Sequence, residues 1–202
     1  ESKIMRLATL EKFIIDSLPG IHVSQEASGR ICQAFEKYEL SKGEFLLKQG
    51  KIGGYYVLEE GFLRNFTFDS KGQEITTSFY KSGRVIFDPS SFFASKPSNE
   101  NIQALTDCVG YYSTFEKLNT LFHSTSEFRE FARAMIIKEF VIFKNESIQK
   151  INKTAEERYI QLIEENRDIF QATQLKHIAS YLGITDTSLS RIRKEFSLKG
   201  KK

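Results

Sequence analysis

The side chains between positions 185 and 194 are of the types that contact nucleic acid. They are polar or basic and fall on the expected outer side of a helix: Thr185, Asp186, Thr187, Ser188, Ser190, Arg191, Arg193 and Lys194. Arg191 can donate two hydrogen bonds to the edge of a guanine. Arg193, Lys194 and the lysines of segment 199–202 can reach phosphates. The segment therefore indicates a surface for double-stranded DNA, provided that the fold leaves it open to solvent.

Two short helices around a tight turn are predicted to hold these side chains. The first helix spans 174–182 and is expected to turn an apolar stripe inward, formed by Leu175, Ile178, Ala179 and Leu182. Gly183-Ile184 makes the turn, and the Thr185 hydroxyl can cap the second helix by accepting an early backbone N–H. The inward stripe of the second helix consists of Leu189, Ile192 and Phe196. The pattern predicts a helix-turn-helix; the alternative is a helical hairpin with a solvated basic face.

Positive charge is concentrated at the C-terminal end. The 202 residues carry a net charge of only +3, but residues 171–202 contain seven basic and two acidic side chains, so the remainder is slightly acidic. A basic end on an acidic body is typical of an appended nucleic-acid-binding module. On charge alone, a solvated lysine-rich terminus is an equal alternative.

The remaining composition excludes several classes of protein. Cys32 and Cys108 form no CxxC pair, which disfavours a zinc or iron–sulfur site and fits a reducing compartment. His22, His123 and His177 are scattered, so surface or helix positions are expected for them rather than metal or haem ligation. Because there is neither a long apolar run nor a signal-peptide pattern, a cytoplasmic location without a membrane partner is predicted.

Residues 38–115 have the pattern of a small β-structure. Short β-rich runs occur at 45–47, 55–58, 62–68, 75–80, 85–87 and 109–112. Gly50, Gly61, Gly72 and Gly83 stand at eleven-residue intervals, and glycine accepts the positive φ of a tight turn. The run 69–72, Asp-Ser-Lys-Gly, is a good hairpin turn. Strands at this spacing predict a jelly-roll-like double-stranded β-helix, with or without a ligand.

Helical periodicity is found on both sides of the β-rich region. Helices are predicted over 4–18, from about residue 24, over 115–122 and over 124–152. The last has too many apolar residues for one face. One side is expected to pack on the β-roll and the other on a second copy, in a parallel two-helix seam. The alternative is a central helix in a monomeric core.

A capping box at Thr154-Ala155-Glu156-Glu157 starts a new helix and places a boundary near residue 153. The predicted fold class is α+β in three parts. Residues 1–123 form N-terminal helices and the β-roll domain, residues 124–152 form the long dimerisation helix, and residues 153–202 form the helix-turn-helix domain.

Nearly the whole chain resembles the Crp/Fnr superfamily of bacterial transcription regulators. The matching residues in the β-rich region are Gly43, Gln49-Gly50, Tyr55-Tyr56-Val57, Gly61, Gly72 with Glu74, and Gly83. The run 182–193 is similar to the helix-turn-helix of the family. The resemblance implies a cyclic-nucleotide-binding-like sensor domain and a homodimer that binds double-stranded DNA, with RNA polymerase as a further candidate partner. It also implies that Thr187, Ser188 and Arg191 lie where the family reads bases.

The effector pocket departs from the family pattern. Members that bind cyclic nucleotides carry a Gly-Glu pair for the ribose and an Arg-Ser pair for the phosphate, and these positions fall here on Phe87-Asp88 and on about Ser98-Asn99. Phe87 adds bulk, and Ser98 brings no charge to a phosphate whose natural partner is an arginine fork. We therefore expect weak or no binding of cAMP and cGMP, no other cofactor, and a small-molecule effector of another kind.

Other marks of the family are also absent. Iron–sulfur members carry an N-terminal cysteine cluster that this sequence lacks. The residues after Phe196 leave little room for the usual winged hairpin, so the DNA contacts are expected to rest on the second helix and the lysine tail.

The function predicted from these features is that of an effector-controlled, DNA-binding transcription regulator. The alternative is a ligand-binding β-roll module whose helical end binds another protein. An enzyme is disfavoured, because the sequence contains no nucleophile–base motif, metal-ligand spacing or phosphate-cradling loop.

Overall fold

A β-roll forms the centre of the chain. The computed structural model describes residue 10, residues 12–13 and residues 23–199. The strands in this part are β1 Glu36–Leu40, β2 Phe45–Leu47, β3 Tyr55–Glu60, β4 Phe62–Phe68, β5 Glu74–Lys81, β6 Val85–Ile86, β7 Asn101–Ala104 and β8 Cys108–Ser113. They form two antiparallel four-stranded sheets, in the orders β1-β8-β3-β6 and β2-β7-β4-β5. Apolar side chains of both sheets meet in one core, as the spacing of short strands predicted.

The turn between β4 and β5 is built as the sequence predicted. The Asp69 carboxylate accepts hydrogen bonds from the backbone N–H groups of Lys71 and Gln73, at 2.8 and 2.9 Å. These bonds stabilise the ionised form and lower the pKa of Asp69. Gly72 has a φ of +75°, which side-chain-bearing residues rarely adopt.

Two strands and a short helix were missed by sequence analysis. In β1 only Leu40 is buried, so the strand carries no alternating pattern. In β7 the buried face includes the polar Asn101. Helix α2, Pro89–Ala94, had a readable signal: the Asp88 carboxylate accepts from the Ser90 N–H at 2.9 Å, and proline occupies the first helical position.

Three helices cover one side of the roll: α1 Gln25–Gln33, α3 Phe115–Ser124 and α4 Ser126–Asn152. They agree with the predicted helices to within about two residues. Of the predicted helix over 4–18, residues 10, 12 and 13 are helical and Leu10 is buried, and the rest lies outside the described residues. The start of α4 packs into the core through Phe128, Phe131 and Met135.

The C-terminal part is helical and shares a core with the roll. Its helices are α5 Ala155–Asn166, α6 Ile169–Ala172, α7 Leu175–Tyr181 and α8 Asp186–Lys199. The predicted capping box is present at the start of α5. The apolar residues of these helices cluster with Leu105 from the roll, and Phe62 and Phe79 pack against the same cluster. The helical part is therefore seated on the β4–β5 side of the roll.

Candidate nucleic-acid interface and ligand pocket

Helices α7 and α8 are joined by a turn whose backbone conformation is held by a glycine and two hydrogen bonds. Gly183 has a φ of +66° and directly follows Leu182, the C-cap residue of α7, so the chain leaves the helix in the left-handed conformation. The Ile184 N–H donates to the Ala179 carbonyl and the Gly183 N–H to the Ser180 carbonyl, both at 3.0 Å. This pair of hydrogen bonds is the Schellman motif, and it fixes the angle at which the two helices cross.

The start of α8 is capped as predicted. The Ser188 N–H donates to the Thr185 hydroxyl oxygen at 3.2 Å, and the Thr185 hydroxyl in turn donates to Ser188 Oγ at 3.0 Å. Because it takes part in the cap, Ser188 is half-buried, and it is less available than its exposed neighbours Thr185, Asp186 and Thr187. The first turn of α8 is therefore fixed by its own side chains.

One face of α8 is exposed along its length. Leu189 and Ile192 are buried and Phe196 is half-buried against the helical core. The face opposite this stripe consists of exposed residues at helical spacing, namely Thr187, Ser190, Arg191 and Lys194, and the exposed Asp186 and Arg193 flank it. Within the described part of the chain, no ion pair engages a cation of α8. The predicted surface is thus assembled and open.

One detail of α7 differs from the prediction. Leu175 was predicted to face inward, but it is 37% exposed at the start of the helix. His177 was expected on a surface or helix, and it lies in α7 with its side chain buried against the roll. The remaining predicted inward residues, Ile178, Ala179 and Leu182, are buried. Lys201 and Lys202 lie outside the described residues, as does the side chain of Lys199.

Helix α7 is attached to the edge of a sheet. Strand β5 is the outer strand of its sheet, and edge strands carry unpaired backbone groups. The Ser180 hydroxyl accepts from the Thr76 N–H at 2.8 Å and donates to the Glu74 carbonyl at 3.1 Å. Phe79 and Tyr181 pack ring against ring, with centroids 5.1 Å apart. One helix of the candidate interface is therefore bonded directly to the roll.

A polar cluster lies buried under the same helix. The Arg64 guanidinium donates to His177 Nδ1 at 2.6 Å, to the side-chain Oε1 of Gln103 at 2.9 Å and to Glu74 Oε2 at 2.6 Å. A guanidinium has only donors, so His177 accepts through an unprotonated Nδ1. Burial, followed by the neighbouring Arg64 charge, lowers the pKa of His177 to about 4. Sequence analysis could not find this cluster, because its members are up to 113 positions apart.

The four residues predicted for the effector pocket do not line one common pocket. Phe87 lines the apolar cavity described below. The carboxylate of Asp88 is used as the cap of α2. Ser98 is 1% exposed; its hydroxyl donates to the Glu100 carbonyl and accepts from the Glu100 N–H. Asn99, in contrast, is exposed to solvent. The prediction of one pocket from these residues is therefore not supported.

The local chemistry also opposes a cyclic phosphate. Close to Ser98, the Glu100 carboxylate accepts from the Asn65 amide at 2.6 Å. A carboxylate repels an anionic ligand. The Asp88 carboxylate is held by the Ser90 N–H in the α2 cap. The residues present do not fit the cyclic nucleotide that the family pattern accommodates.

An apolar cavity of about 320 Å³ lies between the roll and helices α2, α3 and α4. Its inner wall is aromatic: Tyr55 and Phe87 stack with centroids 5.4 Å apart, and Phe92 packs edge-on against Phe115 at 5.3 Å. Phe131 and Met135 of α4 form the opposite wall. Apart from the abundance of phenylalanine, no sequence pattern indicates this cavity.

Helix α4 leaves a second apolar face uncovered. Its exposed apolar side chains are Ile136, Ile137, Phe140, Val141, Phe143, Ile148 and Ile151. Residues 137, 141, 148 and 151 recur at intervals that place them on one side of a helix, opposite the buried Phe128, Phe131 and Met135. Phe140 is 64% and Ile151 82% exposed, which is unusual for a contiguous stripe of large apolar side chains.

Fold and sequence together define the class of protein. Residues 37–125 match the model of the cyclic nucleotide-binding domain family. The chain as a whole has the fold of Crp/Fnr regulators, which confirms the resemblance seen in the sequence. No curated protein shows significant sequence similarity to the chain.

Three solved structures illustrate the likeness of fold. The c-di-GMP-responsive global regulator CLP of Xanthomonas campestris is 13% identical, with a TM-score of 0.68 over 88% of this chain and 93% of its own. FixK2 of Bradyrhizobium japonicum is 19% identical, with a TM-score of 0.68 over 82% and 86%. The catabolite activator protein of Thermus thermophilus is 17% identical, with a TM-score of 0.51 over 88% and 85%.

No helix among the described residues is long and apolar enough to cross a membrane. The histidine, cysteine and acidic side chains of the same residues form no group of three or more that could hold a metal ion.

Proposed function

We propose that this protein is a homodimeric, sequence-specific DNA-binding regulator in which α7 and α8 form a helix-turn-helix. Helix α8 enters the major groove, where Arg191, Thr187 and Ser190 meet base edges, and Arg193 and Lys194 contact phosphates. The observation that carries the proposal is the exposed polar face of α8, held by the Schellman turn and the Thr185 cap. The division of the chain near residues 123 and 153 into roll, dimerisation helix and helix-turn-helix belongs to the same proposal.

The uncovered face of α4 supports the dimer. Two copies of this helix packed in parallel bury Ile137, Val141 and Ile148 against their equivalents, and each copy then presents one helix-turn-helix. In this class of protein two recognition helices about one helical turn of DNA apart read a near-palindromic site. RNA polymerase is the partner through which such a regulator acts when it activates transcription.

The first experiment selects bound DNA from a random pool and then compares variants on the selected site. Arg191→Ala should weaken binding to that site about tenfold to a hundredfold, because a bidentate base contact contributes about 1–3 kcal/mol. Its affinity for random DNA should change far less. Arg193→Ala should weaken both kinds of binding equally and reduce the salt dependence.

Arg30→Ala is the matched control, since Arg30 is an exposed arginine on α1 paired only with Glu26. It removes the same charge far from α8 and should leave DNA binding unchanged. Equal loss of specific and random binding in Arg191→Ala would argue against base reading by α8.

A second prediction concerns the effector. Because the Asp88 carboxylate caps α2 and Glu100 lies next to Ser98, cAMP and cGMP should bind weakly or not at all. A calorimetric titration should show no saturation at micromolar concentrations, and micromolar affinity for cAMP would contradict this prediction.

The alternative function is a ligand-binding β-roll whose helical end binds protein. The bond network between α7 and β5 is compatible with it, but the solvent-facing cations of α8 favour DNA. Failure of the random pool to yield any enriched sequence at low salt would favour the alternative.

A further inference from the structure

We propose that the cavity between the roll and helices α2, α3 and α4 binds a small, uncharged, two-ring molecule that carries one hydrogen-bonding group. Its role as the effector rests on the proposed function, whereas its binding does not. The site differs from the family's cyclic nucleotide site: of the residues at that site, only Phe87 lines this cavity.

The size of the cavity fixes the size of the ligand. A volume of about 320 Å³ is at the lower end of the range for ligand pockets. An apolar cavity of about 150 Å³ holds one benzene ring, so this one accommodates roughly two rings. The walls are built from phenylalanine, leucine and methionine side chains, which favour a flat or compact apolar body.

The polar groups of the wall decide the charge of the ligand. Glu139 of α4 lines the cavity and is paired with Arg84, whose Nη2 lies 3.2 Å from Glu139 Oε2. The single carboxylate is thus already neutralised, and an ionised ligand would face an apolar wall without a free counter-charge. The ligand is therefore uncharged.

Tyr55 supplies the hydrogen bond. The half-buried side chain of Tyr55 lines the cavity. Burial, and then the nearby Glu139 charge, raise the pKa of Tyr55, so the phenol stays protonated and can donate. A hydroxyl or carbonyl on the ligand would accept that hydrogen bond.

The cavity also has an entrance and a connection to α4. Phe93, Phe122 and Ile136 line it and are exposed by 52%, 37% and 47%, so its rim opens to solvent. Phe131 and Met135 belong to the helix that continues into the apolar stripe. A ligand wedged between α2 and α4 can therefore shift the helix that carries the proposed dimer contacts.

The test is a fluorescence titration of the full chain with the two-ring probe 1-naphthylamine, followed by displacement with 1-naphthol, naphthalene and 1-naphthoate. We expect saturable binding at one site per chain. 1-Naphthol should displace the probe best, and the charged 1-naphthoate at least tenfold less well. Equal or better displacement by 1-naphthoate would overturn the assignment of an uncharged ligand.

Two variants locate the site, each with a control. Ala132→Phe places a ring in the cavity and should weaken every probe more than tenfold, while Lys138→Phe places the same ring at an exposed position of α4 outside the lining and should have no effect. Tyr55→Phe should weaken 1-naphthol about two- to tenfold and leave naphthalene unchanged, because only the hydrogen bond is lost. An unchanged probe affinity in Ala132→Phe would refute the site.

The competing occupant is a second copy of the chain. If the probe binds only after the dimer has been dissociated, side chains of the partner fill the cavity and the ligand proposal fails. DNA binding is measured in parallel: intact probe binding without any DNA binding would overturn the proposed function and leave the site standing. Saturating 1-naphthol that leaves the DNA affinity unchanged would refute only its role as effector.

Discussion

At the scale of single residues, the cluster of Arg64, Glu74 and His177 determines how α7 responds to acid. The guanidinium bond requires a neutral imidazole, and burial makes the charged form costly. Glu74 Oε2, 3.9 Å from Nδ1, opposes this effect, but the pKa of His177 still falls to about 4. Protonation of the ring therefore removes an acceptor and places two cations side by side.

A pH dependence of the docked helix follows from this pKa. When α7 separates from the roll, the pKa of His177 returns to near 6.5, so the separated state binds a proton that the docked state excludes. The docked state is therefore favoured above pH 6.5 and is progressively lost between pH 6.5 and 4, by up to about tenfold in the equilibrium per pH unit. Hydrogen exchange of α7 backbone amides, measured from pH 7.5 to 5 and corrected for intrinsic rates, checks this.

His177→Asn is the control for that measurement, because an amide oxygen can accept from Arg64 but does not titrate. It should remove the difference in corrected exchange between pH 6.5 and 5. Identical pH profiles for the wild type and this variant would show that other groups are responsible.

Residue-level sequence reasoning worked where the partner was close in the chain. Thr185 and Thr154 were read correctly as caps, because their hydrogen-bond partners lie three positions away. Ser180 and Arg64 could not be read in the same way. Ser180 bonds Thr76 and Arg64 bonds His177, each more than 100 positions distant, and a serine or arginine side chain does not reveal such a partner in its own neighbourhood.

At the scale of elements, helix α4 has two apolar sides with different tasks. One contributes Phe128, Phe131 and Met135 to the core, and the other is exposed. Large apolar side chains along more than four turns of an exposed helix are a typical protein–protein interface.

The proposed dimer can be broken at this stripe. Val141→Glu should convert the dimer to a monomer at micromolar concentration, because a carboxylate would be buried in the apolar seam without a partner. Sedimentation velocity measures the mass directly. Because each monomer holds one recognition helix, affinity for a two-half-site DNA should fall at least tenfold.

Asn145→Glu serves as the matched control, since it adds the same charge at an exposed position of α4 outside the stripe. It should remain dimeric. A wild-type chain that sediments as a monomer at high micromolar concentration would contradict the seam itself.

The strands whose residues are mostly buried were easier to predict from the sequence than the strands whose residues are mostly exposed. Strand β4 was located at its observed ends, and its central four residues are buried. β1 was missed, because four of its five residues are exposed and three of these are charged. The cavity was missed for another reason: it depends on how three helices lean against the roll, and periodicity within any one helix does not contain that information.

At the scale of the whole molecule, the position of the recognition helix depends on the roll. The Ser180 hydroxyl bonds two backbone groups of β5. Ser180→Ala should leave both groups unpaired and destabilise the docked state by about 1–3 kcal/mol. Urea unfolding measures the free energy, and exchange of the Thr76 amide should accelerate.

Ser190→Ala provides the comparison, because Ser190 is exposed on α8 and has no contact with the roll. Its unfolding free energy should match that of the wild type. Protection of Thr76 in Ser180→Ala equal to that in the wild type would mean that another group holds β5 at this edge.

The shared core has an implication for protein engineering. Phe62, Phe79 and Leu105 of the roll pack into the same cluster as Ile178 and Leu189. In a chimera that joins residues 153–199 to a foreign sensor domain, the apolar side chains of these helices would lose their contacts with the roll and become exposed to solvent. The C-terminal helices therefore cannot be transferred alone. A functional chimera must also contain the β4–β5 hairpin of this protein.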